Sequence, residues 1–205
     1  MATATPIRYS PVAMTLHWLI AIVILVNFGL AVYFSRLRFG DDDSNQVAYL
    51  WHMSTGMCVL VLSVLRLIWR LLHRYPALPR DMGLVARVLA KGAHGLLYVF
   101  MLVAPLTGWV VTSLRRQTAS MLGVFDWPIL PFINTATTHD QRIGIYQATL
   151  PAHLVVSYAG IALVAVHVAA ALHHHFYRRD DVLRRMWLRR SVAARPGLNP
   201  GSRSA

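Results

Sequence analysis

The sequence predicts an all-α membrane protein, a bundle of four transmembrane helices with both termini in the cytoplasm. Three observations lead there. Of 205 residues, 56% are hydrophobic and only 14% are charged, whereas a soluble domain carries about a quarter charged residues. Mean hydropathy is +0.48. Four apolar stretches, near residues 12–34, 47–72, 92–114 and 150–176, each reach the about 20 residues that a helix needs to cross hydrocarbon. Together they make one transmembrane domain over residues 1–190, and residues 191–205 read as a disordered cytoplasmic tail.

The first stretch is too long for the h-region of a secretory signal, about 7–15 residues, and it contains His17. It reads as a retained helix. A short polar link, "SRLRFGDDDSNQ", joins it to the second stretch, so these two helices pack antiparallel as neighbours. The link before the third stretch holds two prolines and then a segment suited to a surface helix. The longest loop, about 115–149, contains "FDWPILPFI", whose aromatics and prolines suit the membrane interface.

Charge sets the orientation. Arg70, Arg74, Arg80, Arg87 and Lys91 lie between the second and third stretches, and eight arginines from Arg178 to Arg203 follow the fourth. The other two loops hold five arginines and five aspartates. The positive-inside rule therefore assigns the termini and the 73–91 link to the cytoplasm. A formal charge of +12 placed this way points to anionic membrane lipid rather than to nucleic acid. Cys58 is the only cysteine. That excludes an internal disulfide, a Cys-ligated iron–sulfur cluster and c-type haem attachment.

The segment "PAHLVVSYAGIALVAVHVAAALHHHFYRR", residues 151–179, is apolar enough to span yet carries five histidines. Ionisable rings at membrane depth mark a site. His153 and His167 are fourteen residues apart. At about 100° per residue they fall about 40° from alignment on one face, separated by roughly 21 Å along the axis. Each needs a partner at its own depth. The second helix runs inward, which sets His52 level with His153 at the outer side. The first runs outward, which sets His17 level with His167 at the inner side. Two facing imidazoles suit a six-coordinate haem iron, and zinc would want more ligands, usually with acidic or Cys company. His94, shallower and three residues from Lys91, is the alternative inner ligand, with His17 preferred. Arg66 stands fourteen residues after His52 on the same face, with no carboxylate in any stretch to pair it. A propionate of the inner haem is its expected partner. His73 and His139 are expected to face solvent in loops, and His173 and His175 to be interfacial.

The motifs "TLHWLIA", "WHMSTGMCVLVLSVLRLIWR", "AHGLLYVFMLVAPLTGW", "AHLVVSYAGIALVAVHVAAALHHHF" and "LRRM" resemble the bacterial cytochrome b561 family over residues 8–190. The resemblance implies a multi-pass cytochrome of the bacterial inner (plasma) membrane with two haem b groups. It implies that His52 and His153 bind the outer haem, and His17 and His167 the inner. It further implies quinone chemistry near the inner haem, where His94 and His174 lie. One branch of the family passes electrons from superoxide to ubiquinone.

Two functions follow as expectations. The first is electron transfer through the two haems from a periplasmic one-electron donor, such as superoxide, to membrane quinone. Arg36, Arg38, Arg115, Arg116 and Arg142 offer a positive field for an anionic donor. The second is a haem-bearing subunit that serves a periplasmic redox protein or another partner and has no activity of its own. Protein alone, offered superoxide and quinone, separates the two.

Overall fold

The computed structural model describes residues 8–36, 43–74, 76, 83–121, 124–136, 138–180 and 182–186. The expected tail at 191–205, and with it Arg38, Asp41 and Asp42 of the first outer link, lie outside the described residues.

Four long helices dominate: α1 (Pro11–Arg36), α2 (Asp43–Leu72), α3 (Leu84–Leu114) and α5 (His139–His173). All four have the length and apolarity to cross a membrane. α1 starts where Pro11 takes the first helical position and Ser10 caps it, its hydroxyl accepting from the Ala13 amide at 3.3 Å. α3 begins at Leu84 rather than near 92, because the expected surface segment continues into the span without a break. The fourth helix begins at His139 rather than near 150. A capping box starts it: the Thr138 hydroxyl accepts from the Gln141 amide at 3.3 Å, and the Gln141 side chain accepts from the Thr138 amide at 2.8 Å.

Between α3 and α5 the chain forms a small antiparallel hairpin, β1 (Ala119–Met121) with β2 (Phe125–Trp127), and then a short helix, α4 (Pro131–Ala136). Arg116, in the left-handed region at φ 56°, turns the chain back at the end of α3. Its amide bonds the Ser113 carbonyl and the Gln117 amide bonds the Thr112 carbonyl, which satisfies carbonyls that the helix end leaves open. The hairpin therefore folds onto the bundle. Met121 and Trp127 pack against Met53, Met57 and Leu60, and Ile133 is 1% exposed.

α1 packs chiefly on α2, and α3 on α5, with α2 and α3 joining the two halves. Most large apolar side chains face outward, as a lipid-facing bundle requires. Ser10 and Trp69 join the start of α1 to the end of α2 through a 3.0 Å hydrogen bond. Trp18 donates to the Met186 carbonyl at 2.8 Å, which brings the end of the chain to the same side.

The one buried residue of α5 is Gly160. It sits seven residues from both His153 and His167, and a Cβ there would overlap the ring of Phe100. That ring packs on a small core of Ile20, Ile24, Val59 and Met101, so an apolar partition lies between the outer and inner histidine levels. Overpacking such a contact costs about 1–3 kcal/mol. Gly160→Ala is expected to lower the thermal unfolding midpoint in detergent. An unchanged midpoint would show that the partition is loosely packed.

Candidate functional site

The structure brings the predicted histidines together in twos. At the outer level the rings of His52 and His153 face one another across the α2–α5 gap, centroids 6.4 Å apart and planes 80° apart. At the inner level His17 and His167 stand 6.3 Å apart at 82°. Two metal–imidazole bonds of about 2 Å, plus about 1 Å from each nitrogen to its ring centre, span roughly 6 Å. Both pairs have that spacing. His94 also approaches His167, at 5.2 Å, about 1 Å short of it. Among the described residues no group of three or more His, Cys, Asp or Glu side chains converges on a common point. The donor sets come in pairs.

Each outer ring is held from behind. The Nδ1–H of His52 donates to the Asn27 carbonyl at 3.0 Å. Asn27 in turn donates from its side chain to the His52 carbonyl at 2.7 Å and to the Thr55 hydroxyl at 2.9 Å, so α1 and α2 grip one another at this level. His153 Nδ1 lies 3.0 Å from the Ala104 carbonyl and 3.1 Å from the Thr107 hydroxyl. In both rings Nε2 is left as the bare nitrogen that a metal takes, the arrangement that orients metal-bound histidines generally. Gly108 lets α3 approach: a Cβ there would stand 3.2 Å from Cε1 of His153. Sequence reasoning missed Asn27, Thr107 and Gly108. The signal for Asn27 was available, since a lone amide deep in an apolar stretch needs a partner.

A cavity of about 750 Å³ surrounds the outer pair. Its walls are mainly apolar, with Ile24, Val59 and Ile161 among them, and its polar side chains gather at the outer mouth, among them Asn45, Gln46, Arg115 and Gln117. That volume lies in the range of small-molecule and cofactor sites. A large apolar ring system carrying two carboxylates matches this distribution. The residues present fit a haem.

At the inner level His94 donates from Nδ1 to its own helix at the Ala90 carbonyl, 2.6 Å away. Arg66 lies close enough to His17 and His167 for both rings to feel its charge. It donates from Nε to the Tyr98 hydroxyl at 3.2 Å, and Arg70 lies over the Tyr98 ring at 5.6 Å.

α5 ends in a π-turn, His174–Arg178, stopped by Arg179 in the left-handed region at φ 52°. Asp180 closes that end. Its Oδ2 accepts from Nδ1 of His174 at 2.5 Å, and its Oδ1 from the Val182 amide at 3.1 Å. Partial burial pushes the Asp180 carboxyl up, but the hydrogen bonds from His174 and Val182 and the charges of His174 and Arg178 outweigh it and hold it below its ordinary value. This contact is therefore present at neutral pH and is lost as pH falls through that depressed value. His173 stacks on Tyr177, and among the described residues Nδ1 of His175 is buried without a hydrogen-bond partner. His73 stacks on Trp69 at 3.7 Å. His139, expected in a loop, is instead the exposed first residue of α5.

The family model for prokaryotic cytochrome b561 matches residues 8–189. Cytochrome b561 homolog 2 of Escherichia coli (strain K12) is 28% identical over 185 residues, 90% of this chain and 93% of the relative. Cytochrome b561 homolog 1 of the same organism is 28% identical, with 89% and 98% covered. A protein named probable superoxide oxidase CybB, from Yersinia pestis, is 25% identical, with 87% and 95% covered.

Proposed function

We propose, from the premise that this chain belongs to the prokaryotic cytochrome b561 family, that it carries electrons from a periplasmic one-electron donor to membrane quinone. Membership makes it an integral membrane protein of haem-based transmembrane electron transfer. The donor, the acceptor, the bacterial inner membrane as its site and the assignment of ligands are our reading. One observation carries that reading: a single helix, α5, presents His153 and His167 at two depths, and each faces a partner histidine at metal-bridging distance.

His52 and His153 hold the outer haem, and His17 and His167 the inner. His17 is preferred to His94 because its spacing from His167 equals that of the outer pair. When bound, the haems would supply reversible one-electron chemistry. The chain supplies the rest. Nδ1 contacts fix His52 and His153, the partition around Phe100 and Gly160 excludes water between the levels, and Arg66 gives the inner site a cation for a propionate. His94 and His174 stand on the cytoplasmic side, where quinone is reduced and protons are taken up.

Superoxide is the donor favoured by charge. Arg36, Arg115 and Arg116 end α1 and α3 at the outer side, and a relative is named a probable superoxide oxidase. The test uses purified protein with superoxide and ubiquinone and no other component. Turnover is expected, and Arg36→Gln with Arg116→Gln should slow haem reduction and flatten its salt dependence. Screening is steep over this range, since the Debye length falls from about 10 Å at 0.1 M to about 3 Å at 1 M. Turnover only after adding a partner protein would make the chain an electron-transfer subunit. An unaltered rate in the double variant at low salt would refute steering.

A further inference from the structure

Arginine–tyrosine contacts lie beside each histidine pair. Toward the cytoplasm, Arg66 bonds Tyr98 and Arg70 covers its ring, four residues from His94. Toward the outside, Arg115 covers the ring of Tyr49 at 5.7 Å, three residues from His52. The Tyr49 hydroxyl passes on to Oε1 of Gln117 at 3.1 Å. Arg115, Tyr49 and Gln117 all line the cavity around the outer pair.

Three features organise this cluster at the exposed mouth of the cavity. The left-handed turn at Arg116 reverses the chain, so that Arg115 and Gln117 both return to the cavity mouth. The guanidinium is the one cation among the described residues lining the cavity, and among the described residues it forms no ion pair. Its planar fork offers five donors in a geometry that matches a carboxylate. The Tyr49 ring beneath it and the Tyr49–Gln117 bond fix where that fork points.

We propose that Arg115, held by Tyr49 and Gln117, is the carboxylate anchor of the outer site and binds a propionate of the outer haem. A haem bound there would present its acidic edge to Arg115, as one at the inner level would present its own to Arg66. Arg115 is therefore a binding residue with its charge compensated, and attraction of an anionic donor falls to Arg36 and Arg116. This rests on the reading that His52 and His153 hold a haem. If His153→Ala keeps both haems, that reading fails before the anchor is tested.

The test is a redox titration of the haem absorbance in the purified holoprotein, comparing wild type with Arg115→Gln, Arg115→Lys and Tyr49→Phe. An uncompensated propionate near the iron favours the oxidised state. Arg115→Gln is thus expected to lower the midpoint potential of one haem, and to move the pH dependence of that potential upward, with the other haem unchanged. Arg115→Lys keeps the charge but not the fork, and should fall between the two. Tyr49→Phe should shift the same haem by less. Loss of one haem alone in Arg115→Gln also supports the anchor. If Arg115→Gln binds no haem at all, the Lys and Phe variants decide by the same criterion. Unchanged potentials for both haems overturn the proposal, and slower superoxide reaction without a potential shift would make Arg115 a steering residue only.

Discussion

Replacing His153 with alanine is expected to remove one of the two proposed haems and to leave the other in place with its spectrum intact. The expected loss is about half of the bound haem, because a six-coordinate iron held by two imidazoles has no third protein ligand to fall back on. His52→Ala should remove the same spectral component, since those rings face each other at 6.4 Å. His17→Ala and His167→Ala should remove the other component. His94→Ala should keep both haems, because its 5.2 Å approach to His167 is too close for an iron to lie between the rings. The supporting groups predict a graded effect. Thr107→Val removes the hydroxyl beside Nδ1 of His153 and leaves the Ala104 carbonyl. Losses of such supports typically cost 10–100-fold in metal affinity, so about 10-fold weaker retention of the outer haem is the expected scale. Pyridine haemochrome content and reduced-minus-oxidised spectra of the purified variants check all of this. Full haem content in His153→Ala would sink the pairing.

The histidine constellation was legible in the sequence because helical geometry is rigid. A fourteen-residue interval returns almost to the same face, and antiparallel spans convert sequence position into depth, so His52 meets His153 and His17 meets His167. The boundaries of the fourth helix were less legible, since hydropathy reports where lipid begins rather than where the helix does. The capping box at Thr138 and Gln141 was present in the sequence but lies in polar surroundings outside the apolar run. The outer hairpin could not be read at all. Its strands are three residues each, too short for an alternating pattern, and they exist because Met121, Trp127 and Ile133 find apolar surface on α2 and α3. Asn27 stood out as a lone amide, but the partners of the clamps behind the rings were hidden. Asn27 bonds the backbone of His52, and His153 bonds the backbone at Ala104, and backbone acceptors leave no mark in a sequence. Arg66 was expected to need an anion, and nothing in its spacing pointed to Tyr98, which holds it from one side.

Removing His94 and His174 together is expected to abolish most quinone reduction while both haems stay bound and reducible. Turning a quinone into a quinol takes two electrons and two protons. The electrons come from two successive donor oxidations, and the protons must reach the quinone oxygens from the cytoplasm. Imidazole is the side chain whose ordinary titration range suits such transfer near neutral pH. His94 stands beside the His17–His167 pair, and His174 lies beyond it at the end of α5. His94 lies 5.2 Å from His167. His174 is seven residues beyond His167, and its Nδ1 donates to Asp180, which fixes Nε2 as the nitrogen facing away from the carboxylate. The two side chains therefore differ in how they are held, one by its own helix at Ala90 and the other by an acid at the chain's cytoplasmic end. Positioned proton transfer contributes typically 10²–10⁴-fold, so the double variant should lose on the order of 100-fold in quinol formation. Reduction of its haems by superoxide should proceed as in wild type. Asp180→Asn removes the carboxylate that orients His174 and should give a smaller loss. Stopped-flow haem oxidation by ubiquinone, measured from about pH 6 to 8 where imidazole titrates, separates these outcomes. Wild-type quinone reduction in the double variant with both haems present would place the quinone elsewhere and leave these histidines as interfacial residues.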